Sequence, residues 1–324
     1  NLGYLSESAG FLPRNPPLLQ MPESHGAWDE IAENLPYLHK TLEVRRVLDA
    51  MPRLSGTIKA IPDKYLLRAS SLLGVFAHSY HHIQIDPAPI PANIMQPWIE
   101  VSKRLHKEKP YLSYIDLILN NWKLRDPDID NPRHVENMDL LFPTVGNETE
   151  RAFYMGQIEV AAGFTPIMNA VIRAQEAVVN EDDKGLETEL IRIIKHLRYL
   201  SSTIYQKIDP NPYSKTHVDQ VIWAKTVAPF AVPISEGVPS PSGTAIAHFH
   251  MMDAFLPRTR YQSQLGKQSA SLAEHTPSHT RNFVEAVRQI SIPDYILKTQ
   301  NRELSGIYNA LIDTYAGDKG FLGV

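Results

Sequence analysis

The dominant hydrophobic period along this chain is that of a helix. Trp28, Ile31, Ala32 and Leu35 recur at i, i+3, i+4 and i+7, and Pro36 is expected to end that run. A helix over 65–82 places Leu66, Leu67, Leu73 and Phe76 mostly on one face. A shorter one is predicted over 97–105, with Pro97 suited to the first turn. Residues 111–122 read as a strong helix, apolar on most faces and therefore buried. The pattern over 148–178 is longer, and Gly163 and Pro166 are expected to kink or split it. Further helices are predicted over 186–208, 215–226, 244–256, 279–290 and 303–315. Alternating β-branched runs between turn dipeptides are nearly absent, so the fold class is all-α.

Proline punctuates this pattern. The 25 prolines concentrate in 13–22, 87–97, 127–143 and 229–241, where they stop helices and form ordered connectors. The polar, proline-containing stretch 126–146 is the expected domain boundary. It divides the chain into a small N-terminal helical domain, 1–143, and a larger helical domain, 144–324.

Composition narrows the chemistry. With 36 acidic residues against 32 lysines and arginines the formal charge is −4, which disfavours a general nucleic-acid binder. No window approaches the roughly 18 uninterrupted apolar residues of a membrane span, and the mean hydropathy is −0.26. The opening Asn1-Leu2-Gly3 resembles no signal peptide, so the cytoplasm is the expected compartment. There is no cysteine, which excludes disulfides, thiolate nucleophiles, Cys-ligated zinc or haem and iron–sulfur clusters. The 13 histidines are then the only side chains able to ligate a soft or borderline metal.

Local motifs among these histidines are weak. His78, His81 and His82 have helical spacings that can ligate a metal, but no acidic third ligand follows, and a polar or partly exposed helix face is the favoured reading. His248 and His250 are two apart on a predicted helix, point in opposite directions and cannot share one ion. His275 and His279 bracket Pro277 in what reads as a loop. Ser235-Glu236-Gly237 and Ser242-Gly243-Thr244 lack the strand–turn–helix context of a nucleophile elbow. No phosphate loop or dinucleotide fingerprint occurs.

A longer-range pattern is more specific. Tyr114-Ile-Asp-Leu-Ile-Leu-Asn-Asn-Trp122-Lys is followed by Asp126-Pro127, Glu136-Asn137-Met138-Asp139-Leu-Leu-Phe142 and Glu159-Val160-Ala161-Ala162. This ordered set closely resembles the indoleamine 2,3-dioxygenase family. Gly10-Phe11-Leu12-Pro13, the Trp28 to Pro36 run, Leu66-Leu67 through Tyr80, and Ile90-Pro91-x-Asn93-Ile94 keep the same order upstream. Downstream, Glu236-Gly237, Ser242-Gly243, Asp253 and Arg281-Asn282-Phe283 continue it more thinly.

The resemblance implies a small N-terminal domain and a larger domain binding haem b. It also implies O2 insertion at the C2–C3 bond of tryptophan or a related indole, with an electron donor keeping the iron ferrous. Helix 111–122 would wall the distal side, with Tyr114, Leu117 and Ile118 at positions matching the family's pocket. Phe153, Tyr154 and Met155 would come from the next helix, and Ser242, Gly243 and Thr244 would match a small-residue loop beside the haem edge. From spacing alone, ordinary core packing accounts for the 114–118 and 153–155 sets.

Three departures qualify it. The family's proximal histidine lies on a late helix; residues 304–324 contain none, so the axial ligand is expected beyond Val324. Gln220 or a neighbour stands where a substrate-binding arginine belongs, and no arginine occurs between Asn211 and Pro257; Lys215 or Lys225 could replace it. Met155 sits near the family's small distal polar position. Alternatives are therefore a haem enzyme of secondary metabolism acting on a modified tryptophan, a non-catalytic helical protein without haem, and a non-haem site at His78, His81 and His82.

Overall fold

A computed structural model describes residues 5–54, 58–82, 86–239, 241–261 and 263–323. It is helical almost throughout. Helices α1 (Gly26–Thr41), α2 (Val44–Asp49), α3 (Leu66–His82) and α4 (Ala92–Arg104) form the N-terminal part. After an irregular stretch come α5 (Glu148–Gly163), α6 (Thr165–Val179), α7 (Asp183–Tyr199) and α8 (Gln220–Thr226). The chain closes with α9 (Ala247–Phe255), α10 (Gln264–Leu272), α11 (Ser278–Arg288), α12 (Ile292–Thr299) and α13 (Arg302–Ala316). The described residues include one small antiparallel ladder, β1 (Lys123–Leu124) with β2 (Met138–Asp139), pairing Lys123 with Asp139 and Leu124 with Met138.

Two apolar cores organise the helices. The first gathers Trp28, Phe76, Trp98 and Trp122 with Tyr154 and Met155 of α5, and it reaches forward to Val227, Phe230 and Ile246. The second is built by α6, α7, α9 and α11–α13, with Ile167, Leu190, Phe255 and Leu311 fully or almost fully buried. Helix α5 belongs to both, because Ile158 and Ala161 face the first core and Val160 the second. Each buried tryptophan removes roughly 150–250 Å2 from water, a driving force of about 4–6 kcal/mol as an upper bound.

The helical reading holds for 65–82 and 303–315, and the 148–178 pattern does split, at Phe164 between α5 and α6. Other expectations need correction. Pro36 does not end its helix: α1 runs on to Thr41 and stops where Leu42 adopts a left-handed φ of 61°. One missing N–H is tolerated, and the proline ring packs against Gly146, where a Cβ would lie 2.7 Å from Pro36 Cβ. Pro97 lies inside α4, which starts five residues earlier at Ala92.

The largest correction concerns 111–122. Only Ile115–Leu119 is helical in extent, as a π-turn closed by Asn120 N donating to Ile115 O at 2.9 Å. Helix 215–226 shortens to α8, because Asp219 caps it by accepting from Ile222 N. The 186–208 helix leaves α geometry at Tyr199, continuing as a π-turn over Leu200–Ile204. In 244–256, a 3-10 turn over Gly243–Ala245 precedes α9. The short helices α2, α10 and α12 were not anticipated.

Candidate functional site

The irregular stretch between α4 and α5 is held by buried polar side chains. Asp116, 1% exposed, accepts from Ser113 N at 2.9 Å, Ser113 Oγ at 2.5 Å and Lys107 Nζ at 2.7 Å. Asn121 Oδ1 accepts from Leu141 N and Phe142 N, while its Nδ2 donates to Phe142 O. Asn137 bridges Asp126 and Pro132 in the same way. Glu150 is completely buried and accepts from the backbone N–H groups of Thr144, Val145 and Gly146 and from the Thr144 hydroxyl. Burial pushes its pKa up, against those hydrogen bonds. Glu159 accepts from Val135 N at 2.7 Å and from Lys207 Nζ at 2.7 Å. These side chains replace the backbone ladder that the segment cannot make with itself.

This clasped segment forms one wall of a cavity between the two cores. Ser113, Tyr114, Ile115, Leu119 and Ala161 line that side. The opposite wall comes from Pro239, Ala245, Ile246, Ala247 and His248, then Leu272, His275, Thr276, Pro277 and Thr280, with Phe11 at one end. The enclosed space is about 60 Å3, room for a few waters. Beyond Tyr111 and His275 a wider cleft of about 570 Å3 opens, whose lining adds Lys107, Asp116 and Arg281. Tyr111 and His275 stand where the two spaces join, with ring centroids 6.2 Å apart and the Tyr111 hydroxyl donating to His275 O at 3.4 Å. The inner lining contains neither carboxylate nor cationic side chain other than histidine.

The anticipated site residues separate in space. Tyr114 lines the inner cavity; its hydroxyl is buried with no hydrogen-bond partner, and burial, with Tyr205 nearby, pushes its pKa well above the ordinary value. Leu117, Ile118, Tyr154 and Met155 are buried in the first core, and none of them lines the cavity. Phe153 packs edge-on against Trp223 at 5.4 Å. Gln220 is exposed at the start of α8, as are Lys215 and Lys225 near it. Ser242 accepts from Thr244 N and shares a 2.9 Å hydrogen bond with Thr244 Oγ1, and Gly243 faces Gln157. The cavity lining passes over this motif, from Pro239 to Ala245. Val324, beyond which the axial histidine was expected, lies outside the described residues.

The helix face expected to be polar and partly exposed is buried at His78, whose Nδ1 has no hydrogen-bond partner among the described residues, and is part-exposed at His81 and His82. His81 Nδ1 pairs with Ala88 O at 2.8 Å and His82 Nε2 with Val232 O at 3.1 Å. Among the described residues no group of three or more His, Asp or Glu is placed to hold a metal ion. Sequence reasoning passed over Ala245–His248 and His275–Pro277 as wall residues. The available signal was their position beside Ser242-Gly243-Thr244 and Arg281-Asn282-Phe283.

Comparison with known proteins decides the lineage. The sequence profile of the indoleamine 2,3-dioxygenase family matches residues 4–217. The chain belongs to the indoleamine 2,3-dioxygenase family. It is 27% identical to indoleamine 2,3-dioxygenase 1 of Mus musculus, over 96% of this chain and 79% of that protein. It is 26% identical to indoleamine 2,3-dioxygenase 2 of Homo sapiens, over 97% and 79%. A Fusarium equiseti relative, 6-hydroxytryptophan 2,3-dioxygenase fscD, is 21% identical over 63% of this chain and 50% of that protein. As a member of that family the chain is an enzyme of the dioxygenase class.

Proposed function

We propose that the chain is a haem-dependent oxygenase that adds O2 across the C2–C3 bond of tryptophan or a related indole, giving an N-formyl product. The observation that carries this reading is the family match over 4–217, whose most specific motifs build one wall of an apolar cavity. Haem b, held ferrous by an electron donor, would supply the oxygen chemistry. The lining suits such a group. It is free of carboxylates, and Tyr114 and His248 bring buried polar atoms without partners.

At about 60 Å3 the inner cavity is well below the roughly 300–1,000 Å3 of small-molecule sites. Loading therefore requires the 245–248 and 272–280 wall to move away from the clasped one. Tyr114, Ile115 and Leu119 would then exclude water and hold an indole ring, and Ser242, Gly243 and Thr244 would sit at the cofactor's edge. Leu117, Ile118, Phe153, Tyr154 and Met155 would back the pocket from the first core. In this reading residues 1–143 form the small domain and 144–324 the haem-binding one. The cytoplasm is the compartment we assign, on the water-soluble composition.

A second reading is a haem enzyme of secondary metabolism acting on a modified tryptophan. It is favoured by the exposure of Gln220, Lys215 and Lys225, which leaves no cation of that segment at the cavity. Arg281, in the outer cleft and donating to Glu274 O and Thr276 O, is the guanidinium nearest the cavity wall in sequence. The test is incubation of the haem-loaded full chain with tryptophan and a panel of substituted indoles under isotopically labelled O2. Incorporation of both oxygen atoms into an N-formyl product is expected. Products with another mass gain would favour the second reading. A haem-loaded protein inert toward every indole would contradict both.

A further inference from the structure

A separate cleft of about 400 Å3 lies between the proline-rich segment 12–18 and the start of α3. That volume is within the range of small-molecule sites. Its charged lining residues are Arg14, Lys64 and Arg68, and no carboxylate lines it. Asp63, beside Lys64 in sequence, is paired instead with Arg104. Arg14 and Lys64 are exposed, whereas Arg68 is only 4% exposed. Leu12 and Leu67 add apolar surface between these cations.

The buried guanidinium is fixed in place but not used up. Arg68 Nε and Nη2 both donate to Asp29 Oδ1, at 3.0 and 2.6 Å, and Nη1 donates to Leu18 O at 2.9 Å. Asp29 Oδ2 is engaged separately, accepting from Met21 N at 2.6 Å. A guanidinium has five N–H groups, so one on Nη1 and one on Nη2 remain to be met. Two neutral side chains of the lining add donors. Asn120, 5% exposed, gives one Nδ2 hydrogen to Ser71 Oγ at 3.3 Å and keeps the other. Ser6 Oγ accepts from Ala9 N at 3.2 Å, which leaves its O–H to donate.

The loop's own acceptors are meanwhile occupied. Arg133 Nη2 donates to Pro13 O at 3.0 Å and to Arg14 O at 2.9 Å, and Arg68 holds Leu18 O. Carbonyls that would repel a negative group are thus already neutralised by guanidinium donors. Three cations line the cleft and Asp29 balances one of them, so the site is rich in donors and carries unmatched positive charge. We propose that this cleft binds a small organic anion through its carboxylate or phosphate group, at a site separate from the cavity. Arg68 supplies the fixed fork, Arg14 and Lys64 close over the charge, and Leu12 and Leu67 meet the organic body. Asn120 also closes the π-turn that carries Leu119 to the inner cavity, so the two spaces share one segment.

The experiment titrates the full chain with phenyl phosphate, benzoate and neutral benzamide by isothermal calorimetry. Saturable binding of one equivalent of phenyl phosphate or benzoate is expected, and none of benzamide. Tighter binding of phenyl phosphate would assign a phosphate ester as the ligand class, and tighter binding of benzoate a carboxylic acid. The double variant Arg14→Gln/Lys64→Gln changes only exposed side chains and should weaken binding roughly tenfold or more. Arg68→Lys keeps a cation beside Asp29 but loses the planar fork, and should weaken it similarly; circular dichroism verifies that each variant folds. Lys195→Gln, an exposed lysine on α7 outside the cleft, should leave the affinity unchanged. No saturable binding of either anion at millimolar concentration would overturn the proposal. So would benzamide binding as tightly as the anions, an unchanged affinity in the folded double variant, or an equal loss in Lys195→Gln.

Discussion

The two walls of the cavity are made differently. Residues 113–162 have little regular backbone before α5, yet Asp116, Asn121, Asn137, Glu150 and Glu159 satisfy their amides from within. The facing wall, 241–261 with 263–280, is mostly short helices and turns. Within it Ser269 Oγ donates to Thr244 O at 2.8 Å, and from the opposite wall the Tyr111 hydroxyl reaches His275 O at 3.4 Å. One wall is therefore fixed in shape, and the other is attached largely through Ile246, Met251 and Phe255, which dock into the two cores. The difference teaches that a buried polar network can specify an irregular segment as firmly as a helix specifies itself. It also identifies which wall must yield when a ligand larger than the cavity enters.

The contrast can be broken most forcefully at Glu150. Glu150→Ala removes the acceptor of the buried Thr144 N–H and of the less buried Val145 and Gly146 N–H groups, and should cost about 2–4 kcal/mol in urea unfolding. A loss below about 1 kcal/mol would mean that the clasp does not set the wall.

Acid should act next, through Phe230, which lies on the segment leading into the second wall. His39 and His78 both lie against Phe230, with ring centroids 6.2 and 6.4 Å away. Burial lowers the His39 pKa to about 4, opposed by the Thr144 carbonyl. For His78, burial and then His82 and His81 lower it to about 3, opposed by the Pro229 carbonyl. Above about pH 6.5 both rings are neutral in the folded and unfolded states. Below it the unfolded chain takes up protons that the folded chain refuses. Stability should therefore fall as pH drops from about 6.5 toward 4, by up to about 1.4 kcal/mol per pH unit for each histidine. Replacing His39 and His78 by Phe should flatten the pH dependence of the unfolding midpoint, and an unchanged slope would discard the explanation.

On the second wall, Ser269→Ala removes one hydrogen bond to Thr244 and should cost about 1 kcal/mol. It should also speed haem uptake in stopped-flow mixing, whereas slower uptake would argue that this wall does not move. The smallest effect is expected at Tyr114. Its hydroxyl has no partner to lose, so Tyr114→Phe should change stability by less than about 0.5 kcal/mol while altering the indole-binding spectrum. A larger destabilisation would reveal a bond made by that hydroxyl.

The long helices were legible because their apolar faces repeat with the helical period; α3 and α13 match their patterns within a residue at each end. The stretch 111–122 was misread for the same reason. Its apolar residues have no preferred face, so periodicity could not reveal that Ser113 and Asp116 would bend it into a π-turn. Proline misled at Pro36 and Pro97 because its cost is local, and tertiary packing around both helices outweighs one missing hydrogen bond. The site was only partly legible. Tyr114 stands in the family motif and lines the cavity, whereas the two-residue spacing of His248 and His250 gives no sign that His248 lines it too. Burial and missing partners are properties of the folded chain.

The most direct test of the two-wall account is hydrogen exchange on the full chain with and without haem. The account predicts slow exchange through 113–162 in both states. It predicts faster exchange through 239–277 that slows when haem is added. Equal protection of the two walls, or no change in 239–277 on haem addition, would contradict it.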